Sequence, residues 1–176
     1  KRASWVLKQQ RTFASFPLAI PEREYVSGET FRYLGKQYRL RVVTGATRSA
    51  KLKGLYLVVT VTVTDGLEMA KRLMDRWLRE KALRIFSESL NRCSVQAASI
   101  GISEVPRLRM LRMRKRWGSC TKDNTIILNP ELIAAPRDCI EYVLCHELCH
   151  IRIKNHSTAF YKLLARLRPD WEQLRL

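Results

Sequence analysis

The sequence predicts an α+β fold, in which a small antiparallel β-sheet precedes a core of helices and a small mixed sheet. Residues 23–64 carry strand-like patterns, residues 67–92 carry helical apolar spacing, and all three histidines of the chain fall within residues 146–156. Alternation with a period of two is typical of a strand, and apolar residues three or four positions apart are typical of a helix. We therefore expect the sheet first and a histidine-bearing helix in the core.

The N-terminal third of the chain is predicted to form an arm and the small sheet. Residues 1–22 mix aromatic and basic side chains with two prolines, which predicts an arm that either packs on the core or is partly disordered. Gly35-Lys36 is the predicted turn of a hairpin, and Leu55 to Thr64 is the most β-prone run. We assign residues 1–66 to the arm and sheet and residues 67–176 to the core.

The core is predicted to begin with a long helix that backs the histidine region. Apolar side chains recur at helical spacing within residues 67–92, and basic side chains fill the opposite face. The recurring apolar residues are Ala70, Leu73, Met74, Trp77, Leu78, Ala82, Phe86 and Leu90. Residues 105–129 are predicted to form two strands, with Lys122-Asp123-Asn124 as the turn between them.

The segment from His146 to His150 has the spacing H-E-x-x-H. On a helix the two histidines are one turn apart, about 40° from each other, so both imidazoles can reach one ion. Glu147 lies on the flank nearer His150, where it can contact a water at the metal without being a ligand. The opposite face is apolar, through Leu144, Leu148 and Ile151. This is the arrangement of zinc metallopeptidases, with two histidine ligands and a glutamate general base.

A third ligand has to come from outside this helical turn. If the helix continued, His156 would lie about 9 Å farther along the axis than His150, so the chain must turn between them. Lys154-Asn155 is the predicted turn, because Asn tolerates the left-handed conformation after a helix. Cys120 is the rival ligand. We favour His156, because its spacing occurs in several zinc protease families.

Several segments resemble the YgjP-like family of predicted zinc-dependent metallopeptidases, within the zincin group. The matching segments are residues 116–120 (RWGSC), 127–130 (ILNP), Tyr142 to His150, His156 with Phe160, residues 169–171 (PDW), Gly28-Glu29 and residues 33–35. The resemblance implies a zincin-like, gluzincin-type core with an active-site helix, a backing helix, bound zinc and hydrolase activity. The more distant SprT-like and WLM groups share H-E-x-x-H, and some of their members act on proteins attached to DNA.

The resemblance also implies a place for the substrate. In zincins a strand close to the metal offers its edge to an extended peptide, and residues 125–129 are the candidate for that strand. Ile127, Asn129 and Arg116 are therefore the predicted substrate-binding residues. Arg116 either orients the substrate or a motif carboxylate, or forms a structural salt bridge.

The predicted reaction is metal-assisted hydrolysis of a peptide or other amide bond. Neutral His146, His150 and His156 would hold Zn²⁺ and leave a fourth position for water, whose pKa falls toward about 7. Glu147 would take the water proton and pass it to the leaving amine. The candidates for a second stabiliser of the oxyanion are Tyr142, Tyr161 and Arg116.

Charge and composition leave two other classes of function open. The net charge of +17 predicts non-specific binding to nucleic acid at low salt, although no nucleic-acid-reading motif accompanies it. One alternative is a nucleic-acid-binding module whose structural zinc uses Cys120 as a fourth ligand, or a protease of nucleic-acid-associated proteins. Another is a zinc amidase that acts on a small substrate.

The cysteines and the hydropathy pattern predict the compartment. The five cysteines are odd in number and form no C-x-x-C pair, which favours a reducing, cytoplasmic environment over a disulfide framework. No apolar run reaches the length of a membrane span, so we expect no membrane partner. The predicted partner is a peptide or protein substrate, as the predicted reaction requires.

Overall fold

The computed structural model describes residues 23–174, so the predicted arm at residues 1–22 lies outside the described range. The strands are β1 (Thr30–Tyr33), β2 (Lys36–Thr44), β3 (Ser49–Lys53), β4 (Tyr56–Val61), β5 (Leu108–Met110), β6 (Gly118–Cys120) and β7 (Ile126–Leu128). The helices are α1 (Leu67–Ala97), α2 (Arg137–Arg152), α3 (Thr158–Leu167) and the short α4 (Trp171–Leu174), with 3₁₀ helices at Ala98–Ile100 and Pro130–Ala134. The predicted α+β class is confirmed.

The first sheet has four strands in the order β1-β2-β4-β3. Its outer pairs are antiparallel, but β2 and β4 run parallel, with Leu40 opposite Leu57. The prediction of an antiparallel sheet is therefore wrong at the central pair. The chain leaves β2, runs along the far edge as β3 and returns as β4 between them, which makes β4 parallel to β2. Alternate residues of β4 point into the core, where Leu57 and Val59 are buried.

Helix α1 packs between the first sheet and α2, as predicted for a backing helix. It continues to Ala97, five residues beyond the predicted end, because Cys93 and Ala97 extend its buried stripe. Buried side chains on either side of residue 66 belong to one hydrophobic cluster, which includes Phe31 of β1, Phe86 of α1 and Leu144 of α2. The tip of the first hairpin is held by backbone hydrogen bonds from Leu34 and Gly35 to the carbonyls of Ile133 and Ala134, at 2.9 and 3.0 Å.

A second, three-stranded sheet lies against α2 and has the order β5-β7-β6. It is mixed, as predicted, because β5 is parallel to β7 and β6 is antiparallel to it. The prediction of two strands is wrong, since Gly118–Cys120 forms a third. The proposed edge strand at residues 125–129 is also wrong, because β7 has a neighbour on both sides. Ile126 and Leu128 are fully buried, which is typical of a central strand.

Within the described residues, no helix combines the length and the apolar character that crossing a membrane requires.

Candidate metal centre

Helix α2 and the segment that follows it bring the three histidines together. His146 and His150 lie one turn apart on α2, which ends at Arg152. Ile153 is extended, with φ −128° and ψ 106°, so the chain leaves the helix axis and turns back toward it. The chain bends at Asn155, as predicted, but without the left-handed conformation, because Asn155 is not among the residues of positive φ. His156 returns to the two helical histidines just before α3 begins.

The ring nitrogens of the three histidines converge on one point. Nε2 of His156 lies 2.9 Å from Nε2 of His146 and 3.1 Å from Nε2 of His150. One ligand nitrogen from each residue lies within 4.8 Å of the others. Phe160 of α3 forms the base of this cluster, with ring-centroid distances of 4.9, 4.7 and 4.8 Å to His146, His150 and His156. The buried phenyl ring therefore holds the three imidazoles from the protein side.

The protonation of the imidazoles suits metal binding. Nδ1 of His150 lies 3.0 Å from the carbonyl of Ile153, which can only accept, so Nδ1 carries the proton and Nε2 is left as a ligand. Nδ1 of His146 is buried and has no hydrogen-bond partner among the described residues. Burial, together with the nearby His150 and His156, lowers the pKa of His146 to about 4. Burial also lowers the pKa of His150. Both are therefore neutral at pH 7, which is the form that binds a metal.

The geometry of the nitrogens fits a zinc ion. Zinc binds imidazole nitrogen at about 2.0–2.1 Å, which places two nitrogens of a tetrahedral site roughly 3.3 Å apart. The two shortest Nε2 separations are within a few tenths of an ångström of that value. Cys120, the rival ligand, does not belong to this group in the described part of the chain. Its pKa is raised by burial, which favours the neutral thiol over the thiolate that zinc requires.

Glu147 follows His146 on α2 and is 6% exposed. Burial raises its pKa to about 7, while the charge of Arg116 and the backbone N–H of Cys120, which donates to the carboxylate, act in the opposite direction. Strand β6 comes so close to α2 here that a Cβ at Gly118 would lie 2.8 Å from Oε1 of Glu147. The carboxylate is thus enclosed between the helix and β6.

The predicted substrate-binding residues have different surroundings. Asn129 is fully buried; its side-chain amide donates to the carbonyl of Met113 at 2.9 Å, and its oxygen accepts from the backbone N–H of Glu131 at 3.2 Å. Its side chain is therefore structural and offers no surface to a peptide. Ile127 is half-buried on the central strand β7. Arg116 is exposed, lies 3.5 Å from the Ser119 hydroxyl and is close enough to Glu147 to affect its pKa.

For three contributors to the site, the sequence did not indicate the role that the structure shows, although Cys120 was considered as the rival ligand. Gly118 allows β6 to approach Glu147, the backbone of Cys120 supplies a hydrogen bond, and Phe160 supports the imidazoles. Gly118, Cys120 and Phe160 were among the residues that carried the family resemblance. That resemblance was the available signal, but it assigned none of them a task.

Comparison with known proteins decides the family. The sequence model of the YgjP-like metallopeptidase domain matches residues 1–176. The chain belongs to the YgjP-like metallopeptidase family. The predicted family membership is confirmed, and this YgjP-like protein is a metallopeptidase with peptide substrates.

The YgjP-like chain is also similar to two solved structures of metallopeptidase zymogens. One is abylysin of Pyrococcus abyssi, with 21% identity and a TM-score of 0.42, covering 48% of this chain and 80% of that one. The other is jannalysin of Methanocaldococcus jannaschii, with 25% identity and a TM-score of 0.39, covering 46% and 78% respectively. A search of curated proteins finds no match to the sequence.

Proposed function

We propose that the protein is a zinc-dependent peptidase in which His146, His150 and His156 hold the metal and Glu147 is the general base. The observation that carries this proposal is the convergence of three imidazole nitrogens at the helix that also carries Glu147. Glu147 is buried, with 6% exposure, whereas the similarly enclosed carboxylate of Asp65 is neutralised by an ion pair with Arg48 at 2.7 Å. Burying a carboxylate has a large desolvation cost, so its position beside a metal-ligand cluster favours a chemical task.

The residues around the centre have separate roles in the proposed reaction. His146, His150 and His156 would hold a Zn²⁺ ion, which would supply the Lewis acidity to activate water and polarise the scissile carbonyl. Glu147 accepts a proton at its carboxylate and delivers it to the leaving amine, and a pKa of about 7 suits transfer in both directions near neutral pH. The N–H of Cys120 orients the carboxylate, and Arg116 favours its ionised form.

Strand β6 replaces β7 as the proposed binding edge for an extended peptide. It is an outer strand of its sheet, and it lies on α2 beside Glu147. Ser119 pairs with Ile127 of β7, whereas the N–H of the next residue, Cys120, points away from β7 toward the carboxylate. Because the N–H of Cys120 already donates to Glu147, a peptide added to this side of β6 would bond to the remaining outward backbone groups and would run along α2.

A structural zinc site is disfavoured by the arrangement of ligands. Such a site is almost always four-coordinate with protein ligands. The ligand group in the described residues contains three histidines and not Cys120. A buried Glu147 would also have no task in such a site.

Replacement of Glu147 by Gln tests the proposed mechanism. The amide keeps the size of the side chain but removes its basicity, so turnover of a mixed fluorogenic peptide library should fall by at least about 100-fold. Zinc content and melting temperature should stay close to those of the wild type. Asp138→Asn is the matched control, because Asp138 is an exposed carboxylate in the first turn of the same helix. Equal turnover in the wild type and Glu147→Gln would exclude Glu147 as the base.

A further inference from the structure

A cavity of about 680 Å³ lies between the first sheet, α1 and the 3₁₀ helix at Pro130–Ala134. None of its lining residues belongs to the histidine cluster. Six of them are basic: Arg23, Arg32, Lys71, Arg76, Arg79 and Arg112. Only two carboxylates, Asp75 and Glu131, line the cavity, which leaves a formal excess of four positive charges. The cavity therefore has the electrostatic character of an anion site.

Both carboxylates of the wall are already engaged. Asp75 accepts a hydrogen bond from the Tyr25 hydroxyl at 2.7 Å, and Glu131 forms an ion pair with Arg112. Arg76 has its nearest carboxylate at 3.9 Å, in an exposed pair with Glu80 on the same helix. Exposed pairs of this kind are weak, so Arg76 can exchange its partner for a ligand at little cost.

The floor of the cavity is apolar. It consists of Leu78, Pro130, Ile133 and Ala134, of which Ile133 and Ala134 are buried. Small-molecule sites typically occupy about 300–1,000 Å³ and combine an apolar lining with a few convergent polar groups. A cationic rim over an apolar floor suits a ligand that has an anionic end and an apolar end.

We propose that this cavity binds an organic polyphosphate of the nucleoside polyphosphate class. Arg76 and Arg79 lie one turn apart on α1 and both line the cavity, so their guanidinium groups can bind neighbouring phosphates in the bidentate manner that arginine favours. The base and sugar would cover the apolar floor. The proposal is independent of the peptidase reaction, since it uses no residue of the metal centre.

The test compares two double variants of α1 with the same change in charge. Arg76→Ala/Arg79→Ala removes two arginines of the cavity. Arg72→Ala/Arg84→Ala removes two exposed arginines that do not line it, and Arg84 forms a pair with Glu88 at 3.8 Å that resembles the pair of Arg76. Binding of ATP to the full chain is measured by calorimetry at about 0.15 M salt, where the Debye length is about 8 Å and distant charges are screened.

The wild type should bind one ATP per chain, and the cavity variant should bind at least about tenfold more weakly, because two charge-assisted contacts are lost. The control variant should retain nearly the affinity of the wild type, and inorganic tripolyphosphate should bind several-fold more weakly than ATP. Equal losses in the two variants would show that binding follows net charge, and would overturn the proposal. If tripolyphosphate binds as tightly as ATP, the apolar floor does not contribute to binding, and the nucleoside part of the proposal is wrong. If ATP does not bind and single-stranded DNA binds in a way that depends on Arg76 and Arg79, the proposal is wrong and the cavity is a nucleic-acid site.

Discussion

Among single residues, Gly118 is a position where the centre depends on the absence of a side chain. A Cβ there would lie 2.8 Å from Oε1 of Glu147 and 2.9 Å from Cγ1 of Val143, closer than real Cβ contacts. Gly118→Ala must therefore displace the carboxylate or move β6 away from α2. Displacement by about 1 Å can cost roughly 100-fold in rate, and we expect peptide turnover to fall by that order.

The control for this substitution is Gly66→Ala, where no atom lies within 4 Å of the added methyl group. Its turnover should match that of the wild type, although its position at the start of α1 can lower stability. Turnover of Gly118→Ala equal to that of the control would show that β6 does not position Glu147.

The proximity of His146 and His150 could be predicted from the sequence because it is local. Helical periodicity alone places His146 and His150 on one face. The partners of Glu147 could not be predicted in this way, because they come from β6, almost thirty residues earlier in the chain. The prediction that Asn129 binds substrate depended on an edge strand at residues 125–129, whereas Asn129 caps a 3₁₀ helix and is fully buried.

Among the elements, helices were predicted more accurately than strands. Helix α1 and helix α2 carry their own pattern over many turns. Strands β5, β6 and β7 have three residues each, too few for a period-two pattern to develop. Their order depends on hydrogen bonds between distant segments, so the sequence did not reveal that β7 is central. The parallel pairing of β2 with β4 was hidden in the same way.

The turn between β4 and α1 depends on one carboxylate. Asp65 accepts two hydrogen bonds from Arg48, at 2.9 and 2.7 Å, and two more from the backbone and hydroxyl of Thr62. These bonds hold the pKa of Asp65 below its usual range, and the bonds from Arg48 have the largest effect. A lowered folded-state pKa means that the carboxylate stabilises the fold above its unfolded pKa of about 3.9, and that this stabilisation is lost as pH falls through the folded value.

Asp65→Asn should therefore lower the free energy of unfolding at neutral pH, and the difference from the wild type should shrink as pH falls below about 4. Urea unfolding followed by circular dichroism at several pH values measures both quantities. Asp138→Asn, at an exposed carboxylate in the first turn of α2, serves as the comparison. A difference that grows toward acid pH would contradict this account of the turn.

In the whole molecule, the positive charge and the metal centre are separate features. The net charge is +17, yet the candidate metal centre consists of three imidazoles and one buried carboxylate. Composition could predict the excess of charge, but not that six basic side chains gather around one cavity, because their positions range from residue 23 to residue 112. Only the packing of β1, α1 and the loops of the second sheet brings them together.

The histidine cluster also links the C-terminal elements of the molecule. His146 and His150 belong to α2, His156 precedes α3, and Phe160 of α3 contacts all three rings. An ion that binds only the folded chain stabilises it by mass action, by about 2.7 kcal/mol when free metal is 100-fold above Kd. For a chain of this size, that corresponds to a Tm higher by roughly 5–10 °C.

Chelation of the zinc-loaded protein should therefore lower Tm by that amount, and added zinc should restore it. His156→Ala should bind zinc weakly and show little response to the chelator, whereas Cys120→Ser should respond as the wild type does. Differential scanning calorimetry, with zinc content from elemental analysis, measures these responses. An unchanged Tm in the chelated wild type would argue against a metal shared by α2 and the segment before α3. A response retained in His156→Ala and lost in Cys120→Ser would instead move the third ligand to Cys120, and with it the chemistry from three imidazoles to two imidazoles and a thiolate.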